Sequence, residues 1–598
     1  MSPPVRPREI LALALLSGVL AGLLESLSHF IRYWGFEGML PLGWYMSWMP
    51  AVANGAVFLA LGLLLAGAAR LAPRLLTPAR LVGLLVFLAA MAALRVLDNS
   101  LSVLTVDLIA LGLGVRIGSW AGPRFDALRR WALPATAALV LLTAALAAGV
   151  EVGERLTERR AARQPAAREG APNVLLLVLD TVRRLNLSVF GYERRTTPEL
   201  EALAARGVRL ENALSTAPWT LPSHAGMFTG RWAHELSASW ATPLDDSFPT
   251  LAEVLTARGY RTAGFVANVS YAGRSVGLGR GFGYFEDVPV SLLQIARSAA
   301  YTSWITSRPA IKRRLPPYYK SYQRKSAVEV NAALFRWLDR DPGRPFFAFL
   351  NYFDAHDPYR PIAPFDTAFS APAYPPTPPS RHGGSFADDR PRSPRPYDQA
   401  IASIDAEIGR LLRELERRGQ LHNTLVIVTS DHGEEFGEHG MYGHGHTLNL
   451  QALNVGAILA LPERIPAGLR VTQRVSLRDL PATVLDLTGT DPAGTFPGAS
   501  LARFWLEPAS VADTLFAETR LARNRPAWDP TSEGDLQSLF AANLHFIRHP
   551  DATTQLYDIA GDSLESRNLA TDPAFSGTAG HLGSVLDRVM GAPHRRSP

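Results

Sequence analysis

Asp180, Asp431 and His432 each stand just past an apolar run of strand length. His356 and the three histidines of HGMYGHGH, His439, His444 and His446, occupy similar places. Carboxylates and imidazoles together make an oxygen and nitrogen donor set suited to a divalent cation, Ca, Mg, Mn or Zn. The chain has no cysteine, which excludes disulfides, thiolate catalysis and thiolate-held zinc. Any one of these residues alone is usually a satisfied polar group, and their shared placement past strand ends is what points to a metal site. The DAH triplet ending at His356 leaves room for a second cation if Asp354, His356 and a histidine of the cluster converge.

These residues need a scaffold that brings distant segments to one edge. PNVLLLVLDT (172–181), YRTAGFVAN (260–268), PFFAFLNYFDAHDPY (345–359), TLVIVTSDHGEEFGEHG (424–440) and VGAILALP (455–462) begin as apolar, strand-length runs, and several end in polar residues. Between them lie helical patterns closed by glycine, such as TPELEALAARG and YDQAIASIDAEIGRLLRELERRG. Alternation of this kind predicts an α/β fold, a mostly parallel sheet flanked by helices, with its site at the C-terminal ends of the strands. The Pro-rich tract 361–396 is expected to be a surface loop shaping access, as is the segment 280–316.

With these motifs in this order, the region from about Pro172 to the C-terminus resembles the sulfatase family of the alkaline phosphatase superfamily. TTPELEALAARGVRLENALSTAPWTLPSHAGMFTGRW adds to the match, and QLYDIAGDSLESRNLA (555–570) is similar to the ending of sulfatase-like hydrolases. The resemblance implies an alkaline-phosphatase-like catalytic domain over 172–507 and a small C-terminal α+β subdomain over 508–598. It implies a cation held by Asp180, Asp431 and His432, with Thr220 at the nucleophile position of the C/S-x-P-S-R signature and also against the metal. His356 falls on the histidine that contacts the ester or leaving group. His444 or His446 lies near the family's lysine, and spacing does not choose between them. Ser223 is expected to support the nucleophile loop, with Pro222 fixing its entry, and Trp219 to pack beneath it.

The departures redirect the chemistry. Sulfatases oxidise cysteine or serine to formylglycine, whereas threonine carries a methyl group on Cβ and would yield a ketone, so Thr220 must act as an ordinary alcohol. The signature arginine is replaced by His224, and the second of the paired N-terminal aspartates by Thr181. A threonine hydroxyl acidified by a cation suits in-line attack on phosphorus. Threonine nucleophiles occur in relatives such as the lipoteichoic acid synthases, phosphoethanolamine transferases and nucleotide pyrophosphatases. The expectation is therefore a metal-dependent hydrolase or transferase acting on phosphate or sulfate esters, with a phosphoester of an envelope lipid or glycan preferred. Two rivals stay open: a true sulfuric ester hydrolase, and a non-catalytic binder of a glycan or lipid headgroup with a decayed site.

The first 150 residues differ in kind. Apolar runs at 10–27, 49–69, 81–96, 101–117 and 131–150 approach the roughly 20 residues a bilayer-crossing helix needs, predicting an all-α transmembrane region of about five helices. Residues 151–171 then form a helical or flexible linker. Arg6 and Arg8 precede the first run, Arg70, Arg74 and Arg80 lie between the second and third, and Arg116, Arg124, Arg129 and Arg130 between the fourth and fifth. That bias places the N-terminus in the cytoplasm and the catalytic domain outside the cell membrane, with the lipid bilayer as partner. Arginines beyond the fifth run, at 155, 159, 160, 163 and 168, oppose it. Asp107 is the ionisable residue noted mid-span. The formal net charge is +6 from nearly balanced residues, without the basic and aromatic interleaving of a nucleic-acid binder.

Overall fold

The computed structural model describes residues 5–591 apart from 36–38, 73, 98–100, 289, 313, 315–323, 342, 370–393, 490–493, 508–509, 512, 523–524 and 527. The chain forms two compact units, Met1–Thr157 with Val288–Gln323, and Glu158–Asp287 with Arg324–Pro598.

In the first unit the apolar runs become helices α1 (Pro7–Gly35), α2 (Met49–Leu71), α3 (Pro78–Leu97), α4 (Val103–Ala121) and α5 (Phe125–Ala162). By length and apolarity they make four stretches able to cross a membrane, the last running from Val103 to Ala162. That last stretch contains a 3-10 turn, Gly122–Arg124, where the chain reverses. Arg129 at the start of α5 pairs with Glu9 at the start of α1 at 3.0 Å, while Tyr45, beyond the end of α1, reaches Glu154 at 3.4 Å. α5 therefore runs parallel to α1. α3 and α4 cross closely because their contact is glycine: a Cβ at Gly114 would stand 2.6 Å from the Gly83 carbonyl oxygen. Asp107 is paired with Arg95 at 3.1 Å. Glu25, a second acidic residue in these helices, is fully buried, and its Oε2 accepts from the Ala300 amide at 3.0 Å.

The second unit is built on strands β1 (Asn173–Leu179), β2 (Val208–Leu214), β3 (Arg261–Val266), β4 (Tyr284–Glu286), β5 (Phe346–Tyr352), β6 (Thr424–Thr429), the short pair β7 (Glu435–Phe436) and β8 (Tyr442–Gly443), β9 (Ala457–Ala460) and β10 (Leu469–Ser476). Eight of these form one sheet in the order β10-β2-β9-β6-β1-β5-β3-β4. Its pairs are parallel except that β9 runs antiparallel to both neighbours. β1 and β5 read as continuous apolar runs because both faces are covered. On one face Leu175, Leu177, Ala348 and Leu350 meet helix 395–417, whose Ile401, Ile404, Ile408 and Leu411 recur at helical spacing. On the other, Phe349 packs edge-on to Phe228 at 5.0 Å, and Phe347 stacks on Phe282 at 5.5 Å.

The C-terminal part adds an antiparallel sheet of β11 (Leu515–Thr519), β12 (Leu536–Ala541), β13 (Leu544–Arg548) and β14 (Thr554–Asp558). One of its faces is covered by helix Ser576–Val589 through Leu582 and Leu586, and the other by Leu214, Leu448 and Leu453. The linker is helical to Ala162. Arg344 then fixes its end, donating to the carbonyls of Ala162 (3.2 Å), Gln164 (2.8 Å) and Pro165 (3.1 Å). Most of the Pro-rich tract, 370–393, lies outside the described residues. The segment expected to shape substrate access from 280 to 316 is divided, because its helices Leu292–Ser298 and Ala300–Ser307 belong to the first unit.

Candidate active site

Four parallel strands end at the same edge: β1 delivers Asp180, β6 delivers Ser430 to His432, β3 delivers Asn268, and β5 begins the loop that carries His356. Asp180, Asp431 and His432 are fully buried, and their ligand atoms lie within 4.8 Å of one another. Asp180 Oδ2 accepts from the side-chain amides of Asn268 (3.0 Å) and Asn351 (3.1 Å). Asp431 Oδ1 accepts from the amides of Thr181 (3.1 Å) and His432 (2.9 Å). The opposite oxygens, Asp180 Oδ1 and Asp431 Oδ2, are buried without a hydrogen-bond partner. Burial, and then the neighbouring Asp431 charge, push the Asp180 carboxyl well above the usual carboxylate range. Two buried carboxylates, each held by one oxygen and bare at the other, are costly unless a cation lies between them, so the donor set fits a divalent ion.

The histidine tautomer follows from its partner. His432 Nδ1 sits 3.0 Å from the Gly433 carbonyl, which can only accept, so Nδ1 carries the proton. Burial holds the ring below its ordinary pKa, leaving Nε2 with a lone pair. That lone pair faces Thr220 Oγ1 at 3.3 Å and Asp431 Oδ2 at 3.4 Å.

Thr220 opens helix α7 (Thr220–Thr229), the seventh in chain order after α6 (Pro198–Ala204), and is 1% exposed. Ser223 Oγ donates to the Asp431 carbonyl at 2.6 Å, tying this helix to the carboxylate loop as a support. His224 donates from Nδ1 to the Thr220 carbonyl at 2.8 Å and lies 3.6 Å from Asp431 Oδ2. Thr181 has φ 65°, rare for a β-branched residue, and its hydroxyl bonds the carbonyls of Asp180 (2.7 Å) and Ala355 (3.2 Å). Its side chain thus serves the backbone, where the related pattern has a second aspartate.

The remaining histidines separate. His356 and His444 lie ring to ring at 5.1 Å, and His444 is 4.5 Å from the His432 ring. His444 is oriented by Glu434 at 3.3 Å. His446 instead pairs with Asp529 at 2.7 Å, and His439 contacts Glu435 and the Glu565 carbonyl, so neither joins the cluster around Thr220. Asp354 caps helix Ala327–Leu338 through the Ala327 amide at 3.0 Å. Among the described residues, Asp180, Asp431 and His432 make the single group able to hold a metal, and the second-cation arrangement does not form.

Trp219 does more than pack beneath the loop. It lies 5.0 Å from His444, 3.7 Å from Trp240 and 5.1 Å from Tyr271, with Arg525 over Trp240 at 3.9 Å, making an aromatic wall beside the site. Glu518 lies behind this wall, 4% exposed, and burial lifts its pKa to about 8 although Arg520 opposes the shift. The folded state therefore binds a proton that the unfolded state has released between the ordinary carboxylate range and about pH 8. Stability falls with pH across that window and levels above it. Glu518→Gln is expected to remove the slope, so that its melting temperature matches wild type near pH 5 and exceeds it by a few degrees at pH 8 to 9 in thermal scans of the full chain in detergent.

Arg324 was not legible as a site residue because nothing near it in sequence carries a motif. It is 2% exposed and donates to the carbonyls of Phe353 (2.6 Å), His356 and Pro358 (2.7 Å), shaping the loop that holds His356. Arg324→Met keeps the bulk and removes the donors, and is expected to cost on the order of 3 kcal/mol, read as a lower denaturant midpoint. Asn268 and Asn351 were missed as well. Their signal was position at strand ends, which does not distinguish a carboxylate-holding amide from a turn residue.

A family model described as Sulfatase matches residues 172–490. The chain is 23% identical over 466 residues to a sulfatase of Formosa agariphila, covering 70% of this chain and 87% of that one. It is 25% identical over 447 residues to arylsulfatase K of Canis lupus familiaris, covering 67% and 79%. The structure of a phosphonate monoester hydrolase of Agrobacterium radiobacter superposes with a TM-score of 0.57 at 21% identity, covering 71% of this chain and all of that one. With the family model spanning more than half of its length, the chain belongs to the sulfatase family and is an ester hydrolase of the alkaline phosphatase superfamily.

Proposed function

We propose that this protein cleaves or transfers phosphoesters at a membrane surface, using the unmodified hydroxyl of Thr220 as nucleophile. The observation that carries this reading is the 3.3 Å approach of Thr220 Oγ1 to the unprotonated Nε2 of His432, beside two bare carboxylate oxygens. Asp180, Asp431, His432 and Thr220 would hold the divalent cation (Ca, Mg, Mn or Zn), which when bound supplies positive charge that acidifies a hydroxyl and attracts an anion. The Thr220 oxygen attacks phosphorus in line as its proton passes to water. The ester oxygen leaves, and water or an acceptor alcohol then resolves the phosphothreonine. An unmodified alcohol has no aldehyde with which to expel sulfate, which favours phosphorus.

His356 holds its Nδ1 proton on the Asp357 carbonyl at 2.7 Å, and burial, with His444 and Arg324 adding to it, keeps the free ring well below its ordinary pKa. An anionic ester in front of it raises that value, so the ring gains a proton on binding and can give it to the leaving oxygen. His444 stands across from it to orient the ester oxygens. The parallel course of α1 and α5, with arginines at the start of both, supports a catalytic domain outside the cytoplasmic face. The intact donor set speaks against a purely binding role.

The test uses the full chain in detergent, stripped with chelator and reloaded separately with Ca, Mg, Mn or Zn. Release is compared from aryl phosphate, aryl phosphodiester and aryl sulfate. Metal-dependent phosphoester release exceeding sulfate release is expected. The names of the sulfatase relatives favour sulfuric ester hydrolysis as the second reading, and sulfate release alone would establish it in place of ours.

A further inference from the structure

The helices Leu292–Ser298 and Ala300–Ser307 enter the sequence between β4 and β5, yet pack on α2 and α3. With the ends of α1 and α3 they enclose a cavity of about 520 Å³. That volume falls within the roughly 300–1,000 Å³ of small-molecule sites. Leu42, Met91 and Trp304 line its apolar part, and His29, Arg95 and Arg297 also line it. Among the described residues no carboxylate lines it. Arg95 is paired with Asp107, and Glu25 lies behind the Ala300 amide and is absent from the lining, so the charged side chains facing the cavity are Arg95 and Arg297. Arg297 is 4% exposed, and Arg308 lies over the Trp304 ring at 3.9 Å, adding a cation there.

Its depth is marked by aromatic side chains. Phe30, Tyr33 and Trp34 at the end of α1 interlock with Trp44, with Phe30 and Trp44 stacked at 6.0 Å. Such rings concentrate where a bilayer meets water, and His29 and Leu42 of the cavity adjoin them in sequence. An apolar chamber with a basic lining at that level matches a molecule with an acyl part and an anionic head. We propose that the cavity binds an anionic phospholipid of the host bilayer, its chain against Leu42, Met91 and Trp304 and its phosphate facing His29, Arg95 and Arg297. This rests on the membrane reading above and not on Thr220.

The test titrates the full chain, in non-ionic detergent, with brominated-chain phosphatidylglycerol and separately with phosphatidylcholine carrying the same chains. The Trp304 signal is the difference between wild type and Trp304→Phe. Saturable quenching by phosphatidylglycerol is expected, at least about fivefold tighter than by phosphatidylcholine, since both heads offer a phosphate to the arginines but the choline cation is repelled by them. Arg297→Gln should bring the two lipids together. Ser303→Phe fills the cavity without changing charge, and should remove saturable quenching by both even if Arg297→Gln fails to fold. Non-saturable quenching, equal affinity for the two heads in wild type, or unchanged binding in Ser303→Phe would overturn the proposal. Thr220→Ala should bind lipid like wild type, so loss of the catalytic reading leaves this result standing.

Discussion

Thr220→Ala is expected to lower kcat for the preferred ester on the order of 10⁴-fold, with the melting temperature nearly unchanged. The hydroxyl makes one side-chain contact, to His432, while the backbone bonds that seat α7 run through the Thr220 carbonyl to His224 and through Ser223 to Asp431. Removing Oγ1 and the methyl therefore takes away the attacking atom and spares the bonds that hold the helix. Thr220→Ser keeps the alcohol and should retain activity within about tenfold, since only orientation by the methyl group is lost. Activity in the alanine variant equal to wild type would remove Thr220 from the mechanism and favour water as the attacking group. Mass spectrometry of wild type after rapid quenching should find phosphate on Thr220 if resolution is the slower step.

Asp431→Asn should separate metal binding from folding. Its Oδ1 accepts from two amides, of Thr181 and His432, and asparagine keeps that acceptor. The bare Oδ2 becomes an amide directed toward His432 Nε2, so a cation loses a ligand and meets a donor. Metal affinity should fall by at least about 100-fold and activity with it. The metal-free variant should still fold, because the Oδ1 acceptor for both amides is retained. Adding metal should then raise the melting temperature of wild type and leave the variant unmoved, as expected of a ligand that stabilises only the form it binds. Equal metal-induced shifts in the two proteins would place the cation elsewhere.

Both experiments address residues that the sequence already singled out, and the reason is physical. Buried parallel strands must be apolar throughout, so a carboxylate directly after such a run stands out, as at Asp180 and Asp431. Long apolar helices are equally conspicuous, because a bilayer tolerates little else. Absence of cysteine and the threonine at position 220 are composition, and they limit the chemistry whatever the fold.

Other features were decided by contacts between segments far apart in the chain. HGMYGHGH could not tell His444 from His446: a single residue separates them, but the turn formed by Gly443 and Gly445, at φ 91° and 82°, sends one ring to His432 and the other to Asp529. The reversal at Gly122–Arg124 was marked in sequence only by the break between apolar runs, while the direction of α5 rests on Arg129 meeting Glu9 across 120 residues. Arg324 gains its role solely from the three carbonyls around it. The segment holding helices 292–307 reads as a substrate loop of the catalytic domain, whereas the helices pack on α2 and α3, burying Gln294, Arg297 and Ser298. The sequence by itself determined which residue types are offered at the strand ends, the threonine at position 220, the order of strands and helices along the chain and the helices long and apolar enough to cross a membrane in the first 150 residues, because periodicity and residue type are local properties. Tertiary structure alone decided which histidines meet, which polar groups are left bare, and where a cavity opens, because those depend on the pairing of surfaces that no local pattern encodes.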